Sequence, residues 1–115
     1  MEPFKHKVWL SSPTMHGDEL RYVTEAIETN WVSTIGANID ALEEQMADYM
    51  DMPYAVALSS GTAALHMCMK LAGERINPDA APGRALQGRR VFCSDMTFAA
   101  SVNPIVYEGG GSRLH

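Results

Sequence analysis

The stretch Ala55-Val56-Ala57-Leu58-Ser59-Ser60-Gly61-Thr62-Ala63-Ala64-Leu65-His66-Met67 runs from four apolar residues, through small polar ones, into an apolar-periodic segment. Its first part predicts a short buried strand, its middle a tight turn, and its last part a helix over about Thr62–Ala72. A helix that starts out of such a turn has first-turn N–H groups without intrahelical partners. Those donors, the helix dipole and the hydroxyls of Ser60 and Thr62 together make a phosphate cradle. Gly61 has no Cβ to hold an anion away from the backbone. The same residues also read as a plain N-cap, Ser60, followed by a first-turn residue, Thr62. Ala63, Ala64, Leu65, Met67, Cys68, Met69, Leu71 and Ala72 make the helix apolar almost all round, which predicts burial against a sheet. His66 within it reads as a packed or hydrogen-bonded histidine rather than a metal ligand.

Downstream, Val91-Phe92-Cys93 is a second strand candidate, Asp95-Met96-Thr97 a turn, and Phe98–Tyr107 a helix that Pro104 kinks or shortens. Gly73–Gly88, with Pro78, Pro82 and Gly83, reads as a long loop. Strand, turn, helix, loop, strand, turn, helix is the alternation of a parallel α/β sheet. Ligands of such sheets bind beyond the carboxyl ends of the strands, where both turns would lie. Phe98 is placed either to lay its ring on a planar ligand or to pack in the core.

Upstream, residues 1–16 are an extended lead-in. A first helix runs from Gly17 or Asp18 to Thr29, with Leu20, Val23 and Ile27 on one face and Asn30 ending it. Trp31–Asn38 is a loop, either a functional loop or an ordinary connector. Asn38 is expected to cap a second helix over Ile39–Met50. There Ile39, Leu42, Met46, Tyr49 and Met50 form a buried stripe, and Asp40, Glu43, Glu44, Gln45 and Asp48 a solvated face rather than a metal site.

The 115 residues fit one domain, residues 17–115 following the lead-in, and 46% hydrophobic content fits a globular chain. A net charge of −5 with scattered Lys and Arg argues against nucleic acid or an anionic membrane as the partner. No apolar run is long enough to span a bilayer, and the N-terminus lacks the apolar core of a signal peptide. Cys68 and Cys93 read as two buried free thiols of a cytoplasmic protein.

With these residues in view, the chain resembles the N-terminal part of the DegT/DnrJ/StrS family of sugar aminotransferases. The resemblance is carried by Asn30-Trp31-Val32-Ser33-Thr34-Ile35-Gly36, Leu42-Glu43, the stretch from Ala55 to His66, and Thr97-Phe98, and it runs to Tyr107-Glu108-Gly109-Gly110. It implies an incomplete piece of the large α/β domain of an aspartate-aminotransferase-like enzyme (fold type I), dependent on pyridoxal 5′-phosphate (PLP). Such enzymes act as homodimers and move an amino group, usually from glutamate, to a nucleotide-linked keto-sugar. On this resemblance Ser60, Gly61 and Thr62 match the turn that holds the cofactor phosphate, and Phe98 the aromatic that stacks on its ring. The loop bearing Trp31, Ser33 and Thr34 matches the segment near the sugar and the dimer partner. Neither Lys5, Lys7 nor Lys70 matches the family's catalytic lysine, so the resemblance gives half a cofactor site, a cradle and a platform, and no catalytic residue. The chain by itself is expected to be inactive. The alternatives are a non-catalytic dimerisation module and a small phosphate-ligand-binding α/β domain. Gly111–His115 shows no strand pattern where the family has an apolar strand, which suggests a frameshift or misread gene, with a cut chain or an incomplete assembly as the other origins.

Overall fold

The computed structural model describes residues 4–114; Met1 to Pro3 of the expected lead-in and His115 lie outside it. The element order is α1 (Glu19–Glu28), α2 (Ala37–Tyr49), α3 (Gly61–Ile76), β1 (Arg90–Cys93), a 3₁₀ turn (Ala99–Ser101), α4 (Asn103–Tyr107) and β2 (Gly111–Leu114). The chain forms two compact units that divide between Ala57 and Leu58.

In the first unit, α1 starts where its sequence predicts. Asp18 occupies the N-cap without a side-chain cap bond. The carboxylate of Glu19 instead reaches back to accept from the backbone N–H of Gly17 at 2.8 Å and from that of His16. Asn30 follows the C-cap with φ 61°, Trp31 N–H donates to the Ala26 carbonyl (2.8 Å), and Asn30 N–H to that of Ile27 (3.1 Å). This left-handed helix end satisfies carbonyls the last turn leaves open, and asparagine tolerates the conformation. α2 ends the same way, with Asp51 at φ 51° and Met52 N–H on the Ala47 carbonyl (2.9 Å).

Gly36, not Asn38, is the N-cap of α2; Asn38 lies inside the first turn because the helix begins at Ala37. The expected buried stripe of α2 is largely exposed at Leu42, Met46, Tyr49 and Met50, as is that of α1 at Leu20, Val23 and Ile27. An apolar stripe is buried only where a second layer covers it, and these side chains stay largely open to solvent.

The strand expected at Ala55–Leu58 is a correction: these residues belong to no strand. A strand exists only where another backbone supplies the ladder, and among the described residues none pairs here. Ala57 N–H is instead taken by the Glu43 carboxylate, at 2.7 Å. Glu43 is thus half-buried and bonded rather than part of a solvated face.

The second unit holds the core. Ala85, Leu86 and Ile105 are its buried apolar residues, with Pro104 beside them. α3 packs on α4 and the 3₁₀ turn. It is longer than expected, since Gly73 to Ile76 continue the helix instead of opening the loop. Gly73 is the point of closest approach: a Cβ there would lie 2.7 Å from Ala85 Cβ and 2.9 Å from its carbonyl carbon. The expected burial of α3 against a sheet is not found; Gly73 is its buried residue, and Leu65, Met67 and Leu71 are exposed. The sheet has two strands, and α3 lies on helices rather than on it.

Pro104 does not kink a long helix. It sits in the first turn of the short α4, where a missing N–H costs nothing, and the residues before it form the 3₁₀ turn. Gly109 (φ 72°) turns the chain out of α4, with Gly110 N–H on the Ile105 carbonyl at 2.9 Å. Gly111–Leu114, expected to carry no strand, then pairs in parallel with β1, Arg90 opposite Gly111 and Phe92 opposite Arg113. Its pattern is not apolar, but a ladder is made by backbone groups and the turn at Gly109–Gly110 delivers them in register. The sheet is parallel, as expected, but its partner for β1 is Gly111–Leu114 and not the segment Ala55–Leu58. Cys68 and Cys93 are free thiols, but exposed and half-buried rather than buried. Among the described residues no helix is long and apolar enough to cross a membrane.

Candidate functional site

Ser60 is in extended conformation (φ −162°, ψ 157°) and its hydroxyl oxygen accepts from Ala63 N–H at 3.2 Å, while its carbonyl accepts from Ala64 N–H at 3.1 Å. The N-cap reading therefore holds. The Ser60 side chain satisfies one of the four open donors of the helix start, that of Ala63, while Ala64 N–H makes the first regular helix bond. Among the described residues, the N–H groups of Gly61 and Thr62 make no hydrogen bond. Gly61 is exposed, and a Cβ built on it would meet nothing within 4 Å. The mouth of α3 is thus open, with two free N–H groups, the Thr62 hydroxyl and the positive end of a 16-residue helix. Ser60 Oγ uses a lone pair on Ala63, so its own hydrogen is available to donate outward.

Phe98 belongs to the same unit and caps the 3₁₀ turn that packs on α3. Phe98 is 80% exposed, so it does not pack in the core. The turn under it is closed by Ser101 N–H on the Phe98 carbonyl (2.9 Å) and by a 2.8 Å contact between the Thr97 and Ser101 hydroxyls.

Trp31, Ser33 and Thr34 lie in the first unit. Trp31 is fixed by the helix end of α1, and its Cβ would be 3.1 Å from a Cβ on Gly36. A pocket of about 230 Å³ lies here, lined among others by Glu25, Thr29, Trp31, Ser33 and Asn38. Thr34 is not among its lining residues.

Sequence spacing gave no sign of the contact between His66 and Glu108. His66 Nε2 lies 2.8 Å from Glu108 Oε1, across 42 residues, and the imidazole meets the Tyr107 ring edge-on at 5.4 Å. His66 is hydrogen-bonded, as expected, but half-buried rather than in the core. Glu108 is 3% exposed, and its other oxygen has no partner among the described residues. Lys70 Nζ lies 3.1 Å from Glu74, whose carboxylate raises the lysine above its ordinary pKa. Among the described residues no group of His, Cys, Asp and Glu is arranged to hold a metal ion.

The profile of the DegT/DnrJ/EryC1/StrS aminotransferase family matches residues 13–112, nearly the whole chain. The chain belongs to this family. EpsN of Bacillus subtilis, whose name describes a pyridoxal phosphate-dependent aminotransferase, is 37% identical over 89% of this chain. A GDP-perosamine synthase of Vibrio cholerae is 34% identical over 84% of it. The spore coat polysaccharide biosynthesis protein SpsC of Bacillus subtilis is 32% identical over 90%. These alignments cover 24%, 23% and 24% of the relatives, so the chain spans about a quarter of their length. Both turns described above, at Ser60–Thr62 and Thr97–Phe98, fall inside the matched range of this aminotransferase family.

Proposed function

We propose that the chain is the N-terminal portion of a PLP-dependent aminotransferase that acts on a nucleotide-linked keto-sugar. Residues 17–115 would belong to the cofactor-binding α/β domain of fold type I, with residues 1–16 leading into it. The observation that carries the reading is the open start of α3: N–H groups on Gly61 and Thr62 that are unpaired among the described residues, with free space over Gly61. That donor set suits a phosphate monoester, whose oxygens accept several N–H and O–H bonds at once. Ser60 and Thr62 donate through their hydroxyls, the Gly61 and Thr62 backbones through N–H, and Phe98 offers its exposed face to the ring. When bound, the cofactor supplies the electron sink that amino transfer needs.

The names of the relatives, a GDP-perosamine synthase and a spore coat polysaccharide protein, support a sugar-linked substrate. The family reading adds glutamate as amino donor, a homodimer, and a cytoplasmic setting. Trp31, Ser33 and Thr34 are assigned to the sugar side. No residue of this chain is assigned as catalytic, because Lys70 is engaged by Glu74 and Lys5 and Lys7 lie in the lead-in. The chain alone, with half a cofactor site and no catalytic residue, is therefore expected not to transaminate.

The test is Gly61→Ala. The site has room for a methyl group, and alanine favours a helix, so thermal stability should be unchanged or slightly raised. A Cβ there stands where the phosphate must approach, so the affinity for PLP, measured by equilibrium dialysis on dilute protein, should fall about tenfold or more. Unchanged affinity would overturn the cradle.

A further inference from the structure

The two turns assigned to the cofactor sit on different elements: Ser60–Thr62 opens α3, and Phe98 opens the segment that runs through the 3₁₀ turn and α4 to Glu108. A phosphate and a ring on one rigid ligand are gripped together only if these elements keep a fixed relation. Among the described residues, His66–Glu108 is the side-chain hydrogen bond that ties α3 to the segment from Phe98 to Gly110, and it is flanked by the edge-on contact of His66 with Tyr107.

Glu108 is also tied at its backbone. Its carbonyl accepts from Leu86 N–H at 2.8 Å, and it stands at the C-cap of α4, directly before the turn into β2. It is almost wholly buried, with one oxygen on His66 and the other unpartnered among the described residues. A buried carboxylate left half-satisfied is a poor choice for stability alone, since an apolar side chain of the same size would avoid the desolvation cost. Directionality is what a hydrogen bond adds here.

We propose that the His66–Glu108 contact is a positioning latch, holding the segment that carries Phe98 at a fixed setting against the start of α3. The inference rests on the cofactor reading above. It makes His66 and Glu108 positioning residues, four or more positions removed from the groups that would touch the ligand.

The decisive variant is Glu108→Met, which fills the same space without the bond or the orphan oxygen. Its thermal midpoint should equal or exceed that of the parent. Inorganic phosphate, which needs the cradle alone, should bind within about twofold of the parent, while PLP, which needs both turns, should bind about tenfold more weakly. Glu108→Gln keeps an acceptor for His66 and should restore the PLP affinity. PLP binding as in the parent, or an equal loss of both affinities, overturns the latch. Should Glu108→Met unfold, His66→Phe, which keeps a ring against Tyr107, is measured in the same way. Unfolding of both would show a contact the fold requires, which also overturns the latch. Phe98→Ala in the parent separates the two ideas: if it leaves PLP affinity unchanged, or if the parent binds no PLP, the cofactor reading has failed and the latch falls with it.

Discussion

At Gly73 a missing side chain determines how closely two segments meet. The 2.7 Å and 2.9 Å approaches to Ala85 involve its Cβ and its backbone, neither of which can swing aside. Gly73→Ala should therefore destabilise the second unit by about 1–3 kcal/mol despite alanine's better helix propensity, as overpacking does, read as a fall in the thermal midpoint. Gly61→Ala, on the same helix but facing open space, should show no such fall, and the contrast checks the geometry of both. Lys70 supplies a second residue-scale expectation. Its bond to Glu74 raises its pKa and keeps it protonated, so it is a weak nucleophile near neutral pH. Borohydride treatment of the chain with PLP should leave no adduct concentrated on one lysine. A unique adduct on Lys70, found by peptide mass mapping, would reverse the assignment of no catalytic residue.

Among the elements, α1 shows how a helix start is held without a side-chain cap at its N-cap. The Glu19 carboxylate is lowered below its ordinary pKa, first by the backbone N–H of His16 and then by further backbone hydrogen bonds, including that of Gly17. A carboxyl whose folded pKa is depressed stabilises the folded form above its unfolded pKa and loses that contribution as pH falls through the folded one. The start of α1 should accordingly fray on acidification through and below the usual carboxylate range. The protection factors of the His16 and Gly17 amides, corrected for the intrinsic pH dependence of exchange, should fall, and Glu19→Gln should abolish that change. Because Glu19 is solvent-exposed, global stability should barely change. The segment 55–57 makes the complementary point. Its residues have the composition of a strand, yet Ala57 N–H is satisfied by a side chain of α2, Glu43. Glu43→Ala should speed exchange at Ala57, whereas Glu43→Gln should largely preserve protection.

For the molecule as a whole, apolar faces stay uncovered within each unit: Leu20, Val23 and Ile27 on α1, Leu65 and Leu71 on α3. Exposed stripes of this kind associate. Sedimentation velocity should show reversible self-association that grows with concentration, and a dye for exposed apolar surface should bind. A sharp cooperative melt of a strict monomer at every concentration, without dye binding, would contradict this.

The presence of α1, α2 and α3, the close of α1 and the cap of α3 could be read from the residues because their causes are local, whereas the start of α2 and the end of α3 were not. Leu20, Val23 and Ile27 repeat at helical spacing, Asn30 tolerates the left-handed turn that closes α1, and Ser60 offers its oxygen to the third amide after it. The open amides at Gly61–Thr62, on which the phosphate proposal rests, were legible for the same reason. Pairing was not legible. Ala55–Leu58 looks like a strand and has no ladder, while Gly111–Leu114 does not look like one and has β1 beside it. A ladder depends on a second backbone that no window of sequence contains. The His66–Glu108 contact spans 42 residues and came into being only when α3 packed on α4. Caps and periodicity are short-range physics, written residue by residue; strand partners and buried polar contacts arise from packing, and the folded chain alone supplies them.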